Sequence, residues 1–133
     1  MPAARRILIV DDDESIRDLV TMALGAEGYE VMGARDGAAA LHILATSRPA
    51  VILLDMRMPT MNGWEFAREY AQRPGPRAPL IIMSAARDAA AHAAEVEADA
   101  FLAKPFDLTD LYTCIARFAD EREARADQEE TRA

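Results

Sequence analysis

The chain has 133 residues, 51% of them apolar, which is the length and composition of one ordinary folded domain. No run of residues approaches the roughly 20 apolar positions that a membrane span needs, and the N-terminal residues predict no export signal. The net charge is −8, which argues against DNA or RNA as the main partner because phosphate binding needs a basic face. The single cysteine, Cys114, has no internal partner, which fits a packing role in a protein of the reducing cytoplasm.

Short apolar runs rich in β-branched residues alternate with segments of helical period. In chain order the pattern predicts a strand at 7–10, a helix at 14–27, a strand at 29–32, a helix capped by Asp36, a strand at 51–54, a helix at 63–71, a strand at 80–83, a helix at 87–96, a strand at 100–103 and a helix capped by Asp107. Single helices between strands indicate right-handed crossovers and a parallel sheet. We therefore predict an α/β fold with a doubly wound five-stranded parallel sheet.

The apolar pattern ends close to the C-terminus of the chain. Residues 1–119 are predicted to form one domain, and residues 120–133 a charged extension that is either the end of the last helix or disordered.

Polar residues stand at the carboxyl ends of four predicted strands. Asp11 and Asp12 follow the first strand, and Asp55 ends the third. Ser84 and Lys104 end the fourth and the fifth. In open α/β folds this edge of the sheet binds ligands. Three carboxylates that converge there repel one another, and a hard divalent cation removes the repulsion. With no histidine or cysteine nearby in sequence, Mg²⁺ fits better than zinc, and Mn²⁺ is the alternative.

The same residue types are those that phosphoryl chemistry uses. A carboxylate can act as the nucleophile and form an aspartyl phosphate. A lysine is a compact charge that reaches one phosphoryl oxygen, and a serine hydroxyl can donate to another. Phosphoryl transfer requires little beyond such positioning and neutralisation of charge.

Five segments together resemble the response regulator receiver domain of two-component signalling. They are VDDD at 10–13, LDMRMP at 54–59, MNG at 61–63, MSAA at 83–86 and FLAKPF at 101–106. The resemblance covers about residues 5–119 and implies a flavodoxin-like (βα)5 fold with strand order 2-1-3-4-5. We expect a free-standing domain, with a fragment of a longer regulator as the alternative, and the resemblance implies that it takes a phosphoryl group from a sensor histidine kinase or a phosphotransfer protein. Its only catalysis would be its own Mg²⁺-dependent phosphorylation and dephosphorylation.

By this resemblance, Asp55 is the phosphoacceptor. Asp12 is the direct Mg²⁺ ligand, Asp11 assists largely through water, and the backbone carbonyl of Arg57 completes the set. The side chain at Arg57 is also one of two positions that tune the lifetime of the phosphorylated state in the family, and Ala86 is the other.

The resemblance also assigns the switch. Ser84 and Lys104 bind the phosphoryl group, and Phe101 matches the aromatic residue that turns inward when the serine closes on it. The bond before Pro105 is a candidate cis peptide. The turn of the aromatic residue remodels the face of the fourth helix, fifth strand and fifth helix, where an unassigned downstream protein would bind.

Two other readings of the acidic edge stay open. A magnesium phosphohydrolase also uses an aspartyl phosphate, but Asp55 is followed by Met-Arg-Met-Pro, not by an Asp-x-Asp motif, and no length remains for a cap domain. A phosphorylation-independent binding module is disfavoured by the complete set of acid, hydroxyl and lysine. We expect no direct binding to DNA or membranes, and a monomer or a phosphorylation-dependent dimer.

Some residues have simpler explanations. Asp13 is expected to cap the first helix. His42 and His92 are expected at the surface, and Trp64 is expected to be a partly exposed packing residue. Glu97 stands where the family commonly has glycine, so it is strained if that turn needs a positive φ.

Overall fold

The computed structural model describes residues 5–132, with side chains for residues 5–120. Five parallel strands form a single sheet: β1 (Arg6–Val10), β2 (Glu30–Ala34), β3 (Val51–Asp55), β4 (Leu80–Ala85) and β5 (Ala100–Lys104). Their order is β2-β1-β3-β4-β5. The predicted doubly wound, flavodoxin-like sheet is confirmed.

One helix follows each strand: α1 (Glu14–Ala26), α2 (Gly37–Leu44), α3 (Gly63–Gln72), α4 (Ala86–Glu95) and α5 (Leu108–Arg132). Residues of α1 and α5 pack in one apolar cluster with one face of the sheet. Residues of α2, α3 and α4 pack in a second cluster on the opposite face. The sheet is therefore covered on both sides, as parallel sheets generally are.

Successive side chains of the central strands point to opposite faces of the sheet, and this alternation produces the two clusters. Leu8 and Ile52 belong to the cluster that contains Phe66 of α3, whereas the neighbouring Ile7 and Leu53 belong to the other. All five of these side chains are fully buried. Burial of each contributes about 1.5–3 kcal/mol, so the middle of the sheet is the most stable part of the scaffold that carries the polar edge.

Side-chain caps define the starts of four helices. Asp13, Asp36 and Asn62 accept hydrogen bonds from backbone amides of the first turns of α1, α2 and α3. Asp107 accepts from the backbone amide of Thr109 at the start of α5. This confirms Asp13, Asp36 and Asp107 as caps. At the start of α4, Ala85 provides no side-chain cap, which forgoes about 1 kcal/mol of stabilisation at that end.

Several predicted boundaries move in the structure. Ser84 lies inside β4, not after it, because it pairs in register with Ala103 of β5. Strand β2 runs to Ala34, two residues beyond the prediction, because it pairs along the whole of β1. Helix α5 continues to Arg132, beyond the predicted boundary at residue 119. The side chains after residue 120 lie outside the described part, and the domain boundary there stays a prediction.

Two turns use a backbone with positive φ after a helix. Gly28, two residues after the last residue of α1, has a φ of 92°. Glu97, in the turn from α4 to β5, has a φ of 54°. The Cβ of an L-residue crowds the backbone in this region, so the expected strain at Glu97 is present.

No helix within residues 5–132 is both long and apolar enough to cross a membrane.

Candidate functional site

Three aspartates meet at the carboxyl edge of the sheet, as predicted. Asp55 is the last residue of the fully buried strand β3, and Asp11 and Asp12 follow β1 beside it. One carboxylate oxygen from each of the three lies within 4.8 Å of the others. Asp11 is completely buried and Asp55 is 8% exposed, whereas Asp12 is exposed to solvent. The cluster is therefore buried at Asp11 and Asp55 and open to solvent at Asp12.

The loop that carries Asp11 is held by its own hydrogen bonds. Asp11 Oδ1 accepts from the backbone amide of Asp13 at 3.0 Å. Arg17 Nη1 donates to the backbone carbonyl of Asp11 at 2.8 Å. Sequence reasoning missed Arg17, although its position four residues after Asp13 on α1 places its side chain over the first turn, beside this loop.

The ammonium group of Lys104 closes the other side of the cluster. Its Nζ donates to Asp11 Oδ2 at 2.8 Å and to Asp55 Oδ1 at 3.3 Å. Lys104 is the last residue of β5, and the peptide bond from Lys104 to Pro105 is cis. One cation thus contacts two carboxylates that come from strands elsewhere in the sheet.

The cluster contains three acidic side chains and one basic side chain, so its negative charges are only partly neutralised. Burial, together with the charges of Asp11 and Asp12, raises the pKa of Asp55 to about 6, although Lys104 opposes the shift. Burial lowers the pKa of Lys104, but the hydrogen bond to Asp11 and the charge of Asp55 outweigh it, so its pKa lies above the usual value. Three acids facing one base favour the binding of another cation.

The donor set suits a hard divalent metal ion. All three acidic ligands are oxygen donors, and no sulfur or imidazole nitrogen belongs to this group within the described residues. Mg²⁺ prefers such oxygens and keeps several of its waters, for which the exposed side at Asp12 leaves room. The acidic cluster is therefore a candidate metal centre.

Close packing fixes the loop beyond Asp55. A Cβ added at Gly63 would lie 2.7 Å from the Met56 Cα and 3.0 Å from the backbone oxygen of Asp55. Only glycine allows α3 to begin so near the site, which accounts for the Asn62-Gly63 sequence. Arg57, between these points, has an exposed side chain.

Ser84 has a partner that the sequence did not indicate. Its hydroxyl oxygen lies 2.7 Å from Nδ1 of His92, and both residues are buried. The expectation that His92 lies at the surface is wrong. Ala89, His92 and Ala93 form the buried face of α4, and the small alanines bring the helix close to the sheet. Their i, i+3, i+4 spacing was a signal for burial. His42 is exposed, as expected.

Trp64 also contacts the ring of His92. Its ring meets the His92 ring edge-on, with centroids 4.8 Å apart and an interplanar angle of 77°. The indole Nε1 donates to Glu95 Oε2 at 2.6 Å. The partly exposed packing role expected of Trp64 is therefore confirmed, with α4 as its neighbour.

The remaining predicted residues differ in their exposure to solvent. Phe101, on β5, is 47% exposed, and Ala86, at the start of α4, is also exposed. Cys114 packs half-buried against the cluster of α1 and α5, and burial raises the pKa of its thiol. The packing role expected of Cys114 is confirmed.

Comparison with known proteins agrees with this arrangement. The family model of the response regulator receiver domain matches residues 7–116. The chain is 37% identical over 119 residues to Regulatory protein AtoC of Escherichia coli (strain K12), covering 88% of this chain and 26% of that protein. It is 36% identical over 108 residues to Response regulator MprA of Mycobacterium sp. (strain KMS), covering 80% and 46%.

A solved structure shows the same likeness. The chemotaxis protein CheY4 of Vibrio cholerae superposes with a TM-score of 0.71 at 31% identity, covering 85% of this chain and 97% of that one. The chain belongs to the response regulator receiver domain family, and it is a receiver domain of two-component signalling. It spans about a quarter to a half of the length of the two curated relatives. The expectation of a free-standing domain stays a prediction.

Proposed function

We propose that Asp55 accepts a phosphoryl group from the phosphohistidine of a sensor histidine kinase or a phosphotransfer protein. The observation that carries the proposal is the pairing of Asp55 with Lys104 beside two further carboxylates, at the end of the most buried strand. A carboxylate in this position is ionised at neutral pH, since its pKa of about 6 lies below that pH. It is also paired with the ammonium group of Lys104, which can donate hydrogen bonds to the incoming phosphoryl oxygens.

Asp12 and Asp55 would hold Mg²⁺ directly, with the backbone carbonyl of Arg57, and Asp11 would assist. Mn²⁺ has the same preference for oxygen ligands and is expected to substitute. When bound, the metal ion neutralises charge on the phosphoryl oxygens. The burial of Asp11 and the exposure of Asp12 support this division of roles, because the exposed carboxylate is the one that can exchange ligands with solvent.

The transfer itself requires one nucleophile and one leaving group. An oxygen of Asp55 attacks the phosphorus atom, the P–N bond of the phosphohistidine breaks, and its electron pair returns to the imidazole, which takes up a proton. Lys104 donates to a phosphoryl oxygen and Ser84 donates to a second one. The exposed side chains at Arg57 and Ala86 border the site, where they would govern access of the water that hydrolyses the acyl phosphate.

The phosphorylated state is expected to act through α4, β5 and α5. Phe101 is half exposed on β5, and it would turn inward once Ser84 moves towards the phosphoryl group. The change would alter the affinity of this face for a downstream protein, or for a second copy of the chain. The net charge of −8 supports a protein, not a nucleic acid, as the partner.

Replacement of Asp55 tests the proposal. The parent protein, incubated with Mg²⁺ and radiolabelled acetyl phosphate, is expected to gain an acid-stable, base-labile label that Asp55→Asn lacks. Asp18→Asn, an exposed acid on α1, is the matched control and should label as the parent does. Equal labelling of Asp55→Asn would reject the assignment. Continuous turnover of generic phosphoesters through Asp55 would favour the phosphohydrolase instead.

A further inference from the structure

A buried histidine on α4 forms a hydrogen bond with the hydroxyl group that the proposed function requires. Ser84 Oγ and His92 Nδ1 are 2.7 Å apart, and the two residues are only 6% and 9% exposed. No hydrogen bond joins Ser84 to Asp55 among the side chains of residues 5–120, where Asp55 accepts from Lys104. The serine is therefore engaged with α4 and not with the acidic cluster.

The histidine ring has little freedom to turn away. Trp64 of α3 packs its ring edge-on against it at 4.8 Å, and the indole is tied to Glu95 of α4 by a hydrogen bond of 2.6 Å. Glu95 is three residues after His92, so both anchor points lie on the same side of the helix. The ring is therefore held by contacts with both Trp64 and Ser84.

We propose that His92 is a positioning residue that accepts the hydroxyl hydrogen of Ser84 and competes for it with the phosphoryl group. A serine hydroxyl has one hydrogen, so it cannot donate to His92 and to a phosphoryl oxygen at the same time. The inference rests on the proposed function, because it takes Ser84 as a phosphoryl ligand.

The competition links the site to α4. When Ser84 donates to the phosphoryl group, the buried Nδ1 of His92 loses its partner, and an unpaired buried acceptor destabilises the packing around it. The affected helix has no side-chain cap at Ala85, the residue before its first turn, so one stabilising interaction that is common at helix starts is missing there. The hydrogen bond between His92 and Ser84 thereby stabilises the unphosphorylated state. When phosphorylation breaks this bond, the packing of α4 around His92 is weakened.

Two variants separate the hydrogen bond from the shape of the ring. His92→Phe keeps a ring against Trp64 and removes the acceptor. His92→Asn loses the ring but places an amide oxygen near the position of Nδ1. Affinity for beryllofluoride, a phosphoryl analogue, is measured with Mg²⁺ by isothermal titration. We expect His92→Phe to bind about two- to tenfold more tightly than the parent, and His92→Asn to bind like the parent.

A double-mutant cycle with Ser84→Ala shows whether the effect passes through the hydroxyl. In that background, His92→Phe is expected to leave the beryllofluoride affinity unchanged. Equal or weaker binding by His92→Phe overturns the proposal, and so does an equal gain without the Ser84 hydroxyl. Urea unfolding of each variant confirms that it folds. Failure of the proposed function is distinct: the parent would then not bind beryllofluoride, or Asp55→Asn would bind it as well, and His92 would have no such role.

Discussion

Lys104 Nζ lies 2.8 Å from Asp11 Oδ2, although 93 residues separate the two in sequence. The order of the strands places β3 and β4 between β1 and β5, so the lysine side chain reaches across the edge of the sheet. The Asp11 side chain is 1% exposed and that of Lys104 is 26% exposed. The pair therefore has a buried acid and a partly hydrated base, and its cation remains free to contact Asp55 as well.

Lys104→Arg should preserve the fold and impair the response to phosphorylation. The guanidinium group keeps the charge, but it is planar and larger than the ammonium group that lies between the two acids. Hydrogen exchange measured with and without beryllofluoride should show a smaller change in α4 and α5 for the variant than for the parent. Lys104→Met is the companion variant, and we expect it to be less stable because Asp11 is left buried without its cation. A parent-like exchange response in Lys104→Arg contradicts the prediction.

Ionisation of Asp55 is expected to destabilise the metal-free protein. The folded state holds its proton with a pKa of about 6, above the ordinary value of 3.8. The folded state therefore binds more protons than the unfolded state between these values. Stability from this group is present below pH 4, falls as the pH rises to about 6, and stays low above it.

Asp55→Asn removes that titration. In EDTA at pH 7.5 the variant should be more stable than the parent by up to about 3 kcal/mol, and the difference should vanish near pH 4. Urea unfolding of both proteins between pH 4 and 8 measures the difference directly. A stability difference that does not change with pH means that Asp55 is not the titrating group.

Magnesium should stabilise the folded protein through the same acids. At ten times its Kd, a ligand that binds only the folded state adds about 1.4 kcal/mol to the free energy of unfolding. The melting temperature is therefore expected to rise by roughly 3–6 °C in scanning calorimetry, and Mn²⁺ should act similarly. Asp12→Asn should lose the rise and melt no lower than the parent in EDTA, because Asp12 is exposed, forms no ion pair within residues 5–120 and repels the charge of Asp55. An equal rise in that variant would exclude Asp12 as a ligand.

Glu97→Gly should stabilise the protein by about 1 kcal/mol, because glycine adopts the φ of 54° without a clash of Cβ. The matched control is Glu27→Gly, an exposed glutamate that ends α1 with a φ of −91°. There the added chain entropy should instead cost a few tenths of a kcal/mol. Thermal unfolding compares the two, and labelling with acetyl phosphate should be unaltered in both. If both variants lose stability, the backbone at Glu97 is not strained.

The sequence alone predicted the alternation of strands and helices and the clustering of polar residues at one edge of the sheet. Apolar periodicity is a local property, and parallel strands necessarily bring their carboxyl ends together, so Asp55 and Lys104 could be placed near each other without coordinates. Helix caps such as Asp13 are local as well. The strain at Glu97 was anticipated from the resemblance, because the family commonly has glycine at that position.

Contacts between side chains that are distant in sequence could be identified only from the folded structure. Asp11 and Asp12 are adjacent and chemically identical, yet only Asp11 is buried, because the end of β1 turns its side chain towards Lys104. His92 was misplaced because its ring and the hydroxyl of Ser84 meet only when α4 packs on the sheet. Such pairings depend on helix rotation and on distances of a few ångströms, which no local pattern of residues specifies.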